Sequence, residues 1–201
     1  MQKALKTLPE GYTLSASVSI KNMEDLKAML LWSLALLAVS LLLVMLVLFA
    51  LPGADFAFSF SLGDGWGGDL LRILAATLLV TVGMVVLHEG LHGLVFWFIT
   101  REHPHFSVSW YYASACAEGW YLPRAPFLVA TLLPLVAITL AGLALVPVTH
   151  GFGQLLLVLL ITFNASGAAG DVLVAQKLAG LPRGTLSLDS GAEVKFYSPG
   201  G

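Results

Sequence analysis

TVGMVVLHEGLHGLVFWFI, residues 81–99, sets two histidines and a glutamate inside an apolar run that holds no other ionisable side chain. At membrane depth such a run has to be helical, because only a helix satisfies its own backbone N–H and C=O groups. On that helix His88 and His92 stand four residues apart on one face, so both imidazoles can reach one metal ion. Glu89 lies between them, within reach of a water held at that metal. Zinc brings the pKa of such a water towards neutrality, and a neighbouring carboxylate then accepts its proton as the oxygen attacks a polarised carbonyl. Ionisable groups at the bilayer centre cost about 2.5–3.5 kcal/mol each on insertion scales, so three together mark a functional site rather than accidental spacing.

Composition agrees with a membrane setting. Of 201 residues 58% are hydrophobic and only 11% charged, against about a quarter charged in soluble domains. A formal net charge of −2 gives no reason to expect a nucleic-acid partner. The chain is expected to be one integral-membrane unit: a cytoplasmic segment 1–27, a transmembrane core 28–178 and a cytoplasmic tail 179–201. The first segment is too mixed, and the apolar run after it too long, to read as a cleavable signal. Cys116 is the only cysteine, which excludes an intramolecular disulfide and a thiolate metal site; it reads as a small buried hydrophobe.

Four stretches are long enough to span about 30 Å of hydrocarbon as helices: Ala28–Leu51, Leu70–Ile99, Phe127–Val148 and Phe152–Leu178. Lys3, Lys6, Lys21 and Lys27 precede the first, Arg101 and Arg124 separate the second from the third, and Lys177, Arg183 and Lys195 close the chain. The first outer loop carries Asp55, Asp64 and Asp69 instead. The positive-inside rule therefore expects four spans in the cell membrane with both termini cytoplasmic. Helices two and four then run in the same direction. His88 falls about 27 Å along the second and Asp171 about 28 Å along the fourth, at about 1.5 Å per residue, so the two share one level. A catalytic zinc bound by two histidines takes a third protein ligand and leaves the fourth position to water; Asp171, the only carboxylate in its helix, is assigned that place. The small residues before it, Asn164-Ala165-Ser166-Gly167-Ala168-Ala169-Gly170, also suit plain close packing of helices, and the two readings are compatible. Asn164, seven residues before Asp171 and on nearly its face, is a candidate for substrate binding or transition-state support.

Between the second and third helices, Phe106 to Trp110 alternates apolar and polar, and the stretch to Tyr121 is rich in aromatics and short side chains. It reads as a short membrane-associated hairpin. Tyr12 to Lys21 also alternates, and Thr185 to Tyr197 holds two strand-like runs about Ser190-Gly191, which suit a small cytoplasmic sheet formed by the termini. An extended substrate added as a further strand and a sheet that merely caps the bundle fit these patterns equally. Pro134 and Pro147 are expected to kink or end the third helix, and Trp97, Trp110 and Trp120 to anchor at the interfaces. The fold class expected is thus an all-α membrane protein, a bundle of four transmembrane helices with a hairpin and a terminal sheet.

Together, Leu8-Pro9-Glu10-Gly11-Tyr12, His88-Glu89-Gly90-Leu91-His92-Gly93, Tyr121-Leu122-Pro123-Arg124 and the Asn164–Asp171 run resemble the "putative zincin peptidase" family of small bacterial membrane proteins, formerly a domain of unknown function. An HExxH on one transmembrane helix and an Asn-led, Asp-terminated motif on a later one are also similar to site-2-protease-type intramembrane metalloproteases. Those proteases carry proline in the second motif and follow its Asp with Gly, where this chain has Gly167 and Asp171-Val172. The resemblance implies Zn2+ held by His88, His92 and Asp171, Glu89 as general base, and a hairpin that presents extended substrate. The activity implied is intramembrane cleavage of a membrane protein or peptide near the cytoplasmic face. Hydrolysis of a non-peptide amide or ester in the bilayer, and a catalytically inactive metal-stabilised scaffold or regulator, stay open as alternatives.

Overall fold

The computed structural model describes residues 3–50, 66–109 and 112–200, with the backbone alone for 66–69. Asp55, Asp64 and the side chain of Asp69, used in the topology argument above, and Trp110, expected to anchor at an interface, lie outside the described residues.

Long unbroken runs of Leu, Val, Ala and Ile produce helices wherever no water is needed to satisfy the backbone. They form α1 (Met23–Ala50), α2 (Trp66–Thr100) and α3 (Arg124–Leu145), the last continued by a single 3-10 turn, Val146–Val148. These three are long and apolar enough to cross a membrane. Their outward faces carry Leu31, Leu34 and Leu42 on α1, Leu78, Leu79 and Val86 on α2, and Leu140 on α3, all well exposed. Such a surface belongs in lipid rather than water.

The fourth apolar stretch is not the continuous helix that its length suggests. It is divided into α4 (Phe152–Gly167) and α5 (Ala169–Ala179), bent by 42° at Ala168, whose ψ of 11 departs from helical values. Counted as one broken span, the pair brings the candidate spans to four. The small residues Gly167, Ala168 and Gly170 let the backbone turn here without steric penalty. Broken backbone at membrane depth is tolerated where it lines a cavity, and Gly167, Ala169 and Gly170 do line one. The break also moves Asp171 into the first turn of α5, where the partial positive charge of a helix N-terminus favours a carboxylate.

The strands occur in two small sheets. β2 (His105–Val108) and β3 (Ala113–Cys116) form the expected hairpin. β1 (Tyr12–Ser19), β5 (Leu186–Asp189) and β6 (Glu193–Pro199) form the terminal sheet, joined at its edge by β4 (Tyr121–Pro123). All its pairs are antiparallel, in the order β1-β6-β5-β4. Beyond β4, Leu5 exchanges two backbone hydrogen bonds with Tyr121, of 2.8 and 3.0 Å, so the N-terminal segment covers that edge.

The principal core lies between this sheet and the adjacent helix ends: Val18, Leu122 and Phe196 from the strands meet Phe96, Phe127, Leu173 and Leu178. Burying side chains of this size contributes about 1.5–3 kcal/mol each. A polar tie reinforces it. Asp25, buried at the start of α1, accepts the Ser19 N–H at 2.9 Å and pairs with Lys177 at 2.9 Å, and Lys177 also donates to the Ser17 carbonyl. β1, α1 and α5 are thereby locked together six residues beyond Asp171. Arg124 donates to the carbonyls of Ala179 and Leu181, which satisfies the C-terminal end of α5. Cys116 is buried and free; burial pushes its thiol up to about 12, in keeping with a packing role.

Candidate functional site

α2 sets His88 and His92 one turn apart, as the spacing requires, with ring centroids 4.8 Å apart and ring planes at 72°. Both are buried, at 7% and 6% exposure. Gly93 follows immediately, and a Cβ there would lie 2.6 Å from Phe106 Cζ. Glycine is what lets the β2–β3 hairpin sit directly against the helix beside the second histidine.

Each ring is fixed from behind through Nδ1. His92 Nδ1 lies 2.8 Å from the Ala130 carbonyl of α3, an acceptor only, so Nδ1 carries the proton. His88 Nδ1 lies 2.9 Å from Asn164 Oδ1. The orientation of that amide follows from its other end: Asn164 Nδ2 faces the Leu135 carbonyl at 3.4 Å and the Pro134 carbonyl at 3.5 Å, and only an N–H can face two carbonyls. Oxygen therefore faces His88, and His88 too is protonated on Nδ1.

With both protons placed at the back, both Nε2 atoms point at one carboxylate. His88 Nε2 lies 3.0 Å from Asp171 Oδ2 and His92 Nε2 lies 3.5 Å from Asp171 Oδ1. Two lone pairs aimed at an anion repel it unless a cation stands among them. A zinc ion suits this donor set: bonds of about 2.0–2.1 Å in tetrahedral array hold neighbouring ligand atoms about 3.3 Å apart, between the two distances seen. Glu89 offers a carboxylate oxygen that, with one nitrogen from each histidine, falls in a group whose members all lie within 4.8 Å of one another. It sits half-buried on the cavity side of α2.

These groups open onto a cavity of about 960 Å³. Its walls are mostly apolar, among them Met29, Leu30, Met84 and Val174. Ala113, Ser114 and Ala115 of β3 form one side, and β3 pairs with a strand, β2, on one edge only among the described residues. The turn between β5 and β6 closes another side with Asp189, Gly191 and Glu193.

The structure thus brings His88, Glu89, His92 and Asp171 together. Asn164 is placed differently from its expected role: it is fully buried, both ends of its amide are engaged by α2 and α3, and it holds His88 rather than facing the cavity. Sequence reading missed two contributors. The Ala130 carbonyl has no residue-type signature. Asp189 lies in a strand remote in sequence, and only the sheet order carries it to the cavity wall. Its Oδ1 accepts the Gly191 N–H at 2.8 Å, and burial, against that bond, pushes its carboxyl up to about 6.

The chain is mostly helical with three to four candidate apolar spans, and its HExxH histidines converge on a carboxylate from another helix, the pattern of a zincin metal site. The chain belongs to the family described as "Putative zincin peptidase", whose model matches residues 81–186, just over half of its length. That match takes in His88, Glu89, His92, Ala130, Asn164 and Asp171, while Asp189 and the cavity walls from α1 and β6 lie outside it. Comparison with curated proteins and with solved structures gave no match.

Proposed function

We propose that the protein is a zinc-dependent intramembrane endopeptidase, similar in its plan to site-2 proteases, that hydrolyses a membrane protein or peptide near the cytoplasmic face. The observation that carries this reading is the convergence of His88 Nε2 and His92 Nε2 on Asp171, with Glu89 beside them at the wall of a large cavity. The four-span topology is part of the proposal. Residues 3–22, 101–123 and 180–200 all gather at the sheet end, and they carry most of the lysines and arginines, which supports a cytoplasmic sheet and cytoplasmic termini.

His88, His92 and Asp171 would hold the ion, with Asn164 and Ala130 fixing the rings. Bound zinc would supply Lewis acidity, acidifying water and polarising the scissile carbonyl. Glu89 then accepts the water proton at its carboxylate and returns it to the leaving amine nitrogen. The second edge of β3 can take an extended substrate as an added strand, which holds the peptide backbone against this wall while side chains enter the apolar cavity. Met29 and Leu30 of α1 add apolar wall to the chamber.

Glu89→Gln tests the reading. It removes the proton acceptor but preserves shape, so purified protein should keep about one zinc by elemental mass spectrometry while peptide cleavage falls by about 10²- to 10⁴-fold. Cleavage that persists in Glu89→Gln would remove Glu89 as the base. Glu89-dependent release from lipid amides or esters, with peptides untouched, would make the protein a non-peptide hydrolase. A cellular phenotype indifferent to Glu89→Gln but lost with the metal ligands would make it a scaffold.

A further inference from the structure

α3 contributes no histidine or carboxylate to the centre, yet it supplies the acceptor that fixes His92. In an unbroken α-helix the Ala130 carbonyl would be taken by the N–H of residue 134. Residue 134 is a proline in the helix interior, and proline has no N–H to give. The carbonyl that loses its helical donor is the one that receives His92 Nδ1 at 2.8 Å. Ala130 and Pro134 are fully buried and His92 nearly so, so no water competes for the oxygen. The register is specific: a proline one position earlier or later would free a different carbonyl, on another side of α3. The same segment also holds Asn164, through the Pro134 and Leu135 carbonyls and Thr139 Oγ1, and so reaches His88 indirectly.

We propose that Pro134 is a positioning residue of the metal site: by withholding one backbone donor it reserves the Ala130 carbonyl for His92, which keeps the proton on Nδ1 and turns the Nε2 lone pair towards Asp171. The proposal rests on the metal-centre reading above but not on peptidase activity. A carbonyl left without a donor in an apolar interior is costly. Its satisfaction by His92 therefore couples the fold of α3 to the orientation of a ligand. A proline that merely bends α3 makes no such link, and the two roles can be separated chemically.

Two variants of the full chain separate them. Pro134→Ala restores the N–H, which then competes for the Ala130 carbonyl. The α-hydroxy acid analogue of alanine at position 134 puts an ester there instead, and removes both the pyrrolidine ring and the N–H. Zinc affinity is measured by competition with a chromophoric chelator. In the metal-free protein, 15N NMR of labelled histidine at alkaline pH reports which ring nitrogen of His92 is protonated. Loss of an outer ligand contact commonly weakens metal binding by about 10- to 100-fold; Pro134→Ala should lose about tenfold and deplete the Nδ1–H tautomer, while the ester analogue recovers both. An ester analogue as weak as Pro134→Ala would show that the ring, not the missing N–H, matters, and would overturn the proposal. So would wild-type zinc affinity and tautomer in Pro134→Ala. If the wild type takes up no zinc, the function proposed above fails, and the NMR comparison still decides the role of Pro134.

Discussion

The two ends of the helical layer are built on opposite principles. At the sheet end, His88, His92, Asn164 and Asp25 are all buried, and each is held by named partners on another element. At the far end the core is Val44, Val146 and Ile161, and α3 meets α4 so closely that a Cβ on Gly142 would fall 2.5 Å from Ile161 Cγ1. Its buried polar side chain Gln154 donates to the Val146 carbonyl at 3.3 Å, while Oε1 finds no partner among the described residues. One end thus gains cohesion from small-residue packing, the usual device in lipid. The other sets the larger apolar core beside buried polar groups whose partners fix the geometry of the site. Stability and chemistry should therefore be separable by position along the same helices.

The strongest attempt to break that separation is a pair of substitutions. Asp171→Ala removes the carboxylate on which both Nε2 atoms converge, and should weaken zinc binding by about 100-fold or more. It leaves the far packing alone. Gly142→Ala forces a methyl group against Ile161 and should cost about 1–3 kcal/mol of stability, as overpacking does. Zinc affinity should be unchanged. Chelator competition and denaturant titration of both variants give the comparison, and a Gly142→Ala protein that folds but loses zinc would show that the two ends are one cooperative unit.

The sequence made the two ends unequally legible. HExxH could be read because a helix fixes the i, i+4 relation locally, whatever surrounds it. Asp171 follows from counting residues along two helices that the positive-inside rule runs in the same direction, an argument that needs only loop charges and the rise per residue. Strands β1, β5 and β6 and the β2–β3 hairpin show as alternation, and the β5–β6 turn as Ser190-Gly191. The break at Ala168 was not legible, since the same small residues suit an unbroken helix packed closely against its neighbours. For Asn164 helical spacing specifies a direction but not a neighbour, and in that direction stand the His88 ring and the carbonyls of α3. Ala130 was invisible because a backbone oxygen is the same in every residue. Pro134 reads in the sequence as a kink or an end of the third helix, because the partner of the carbonyl it frees lies on another element. Asp189 depends on which strands pair with which, the long-range property least available to a local pattern.

Asp189 also offers the finest test of the contrast between the ends, because its carboxyl lies on the cavity wall with no cationic side chain paired to it among the described residues. Burial raises it from 3.8 to about 6. For a carboxyl raised in the folded state, the folded protein binds more protons than the unfolded chain between those two values, so stability falls as pH rises through that window and is level above it. Asp189→Asn keeps an oxygen for the Gly191 N–H and cannot ionise. Its Tm should match wild type near pH 4 and exceed it above pH 6 by several degrees, each 1 kcal/mol moving Tm by about 2–4 °C in a chain of this size. A gap that is constant with pH, or that opens on the acid side, would show that Asp189 is not a strained acid. The expected gap would mean that the cavity end retains an ionisable group at a cost to folding, as the polar construction of that end implies and the packed far end has no reason to do.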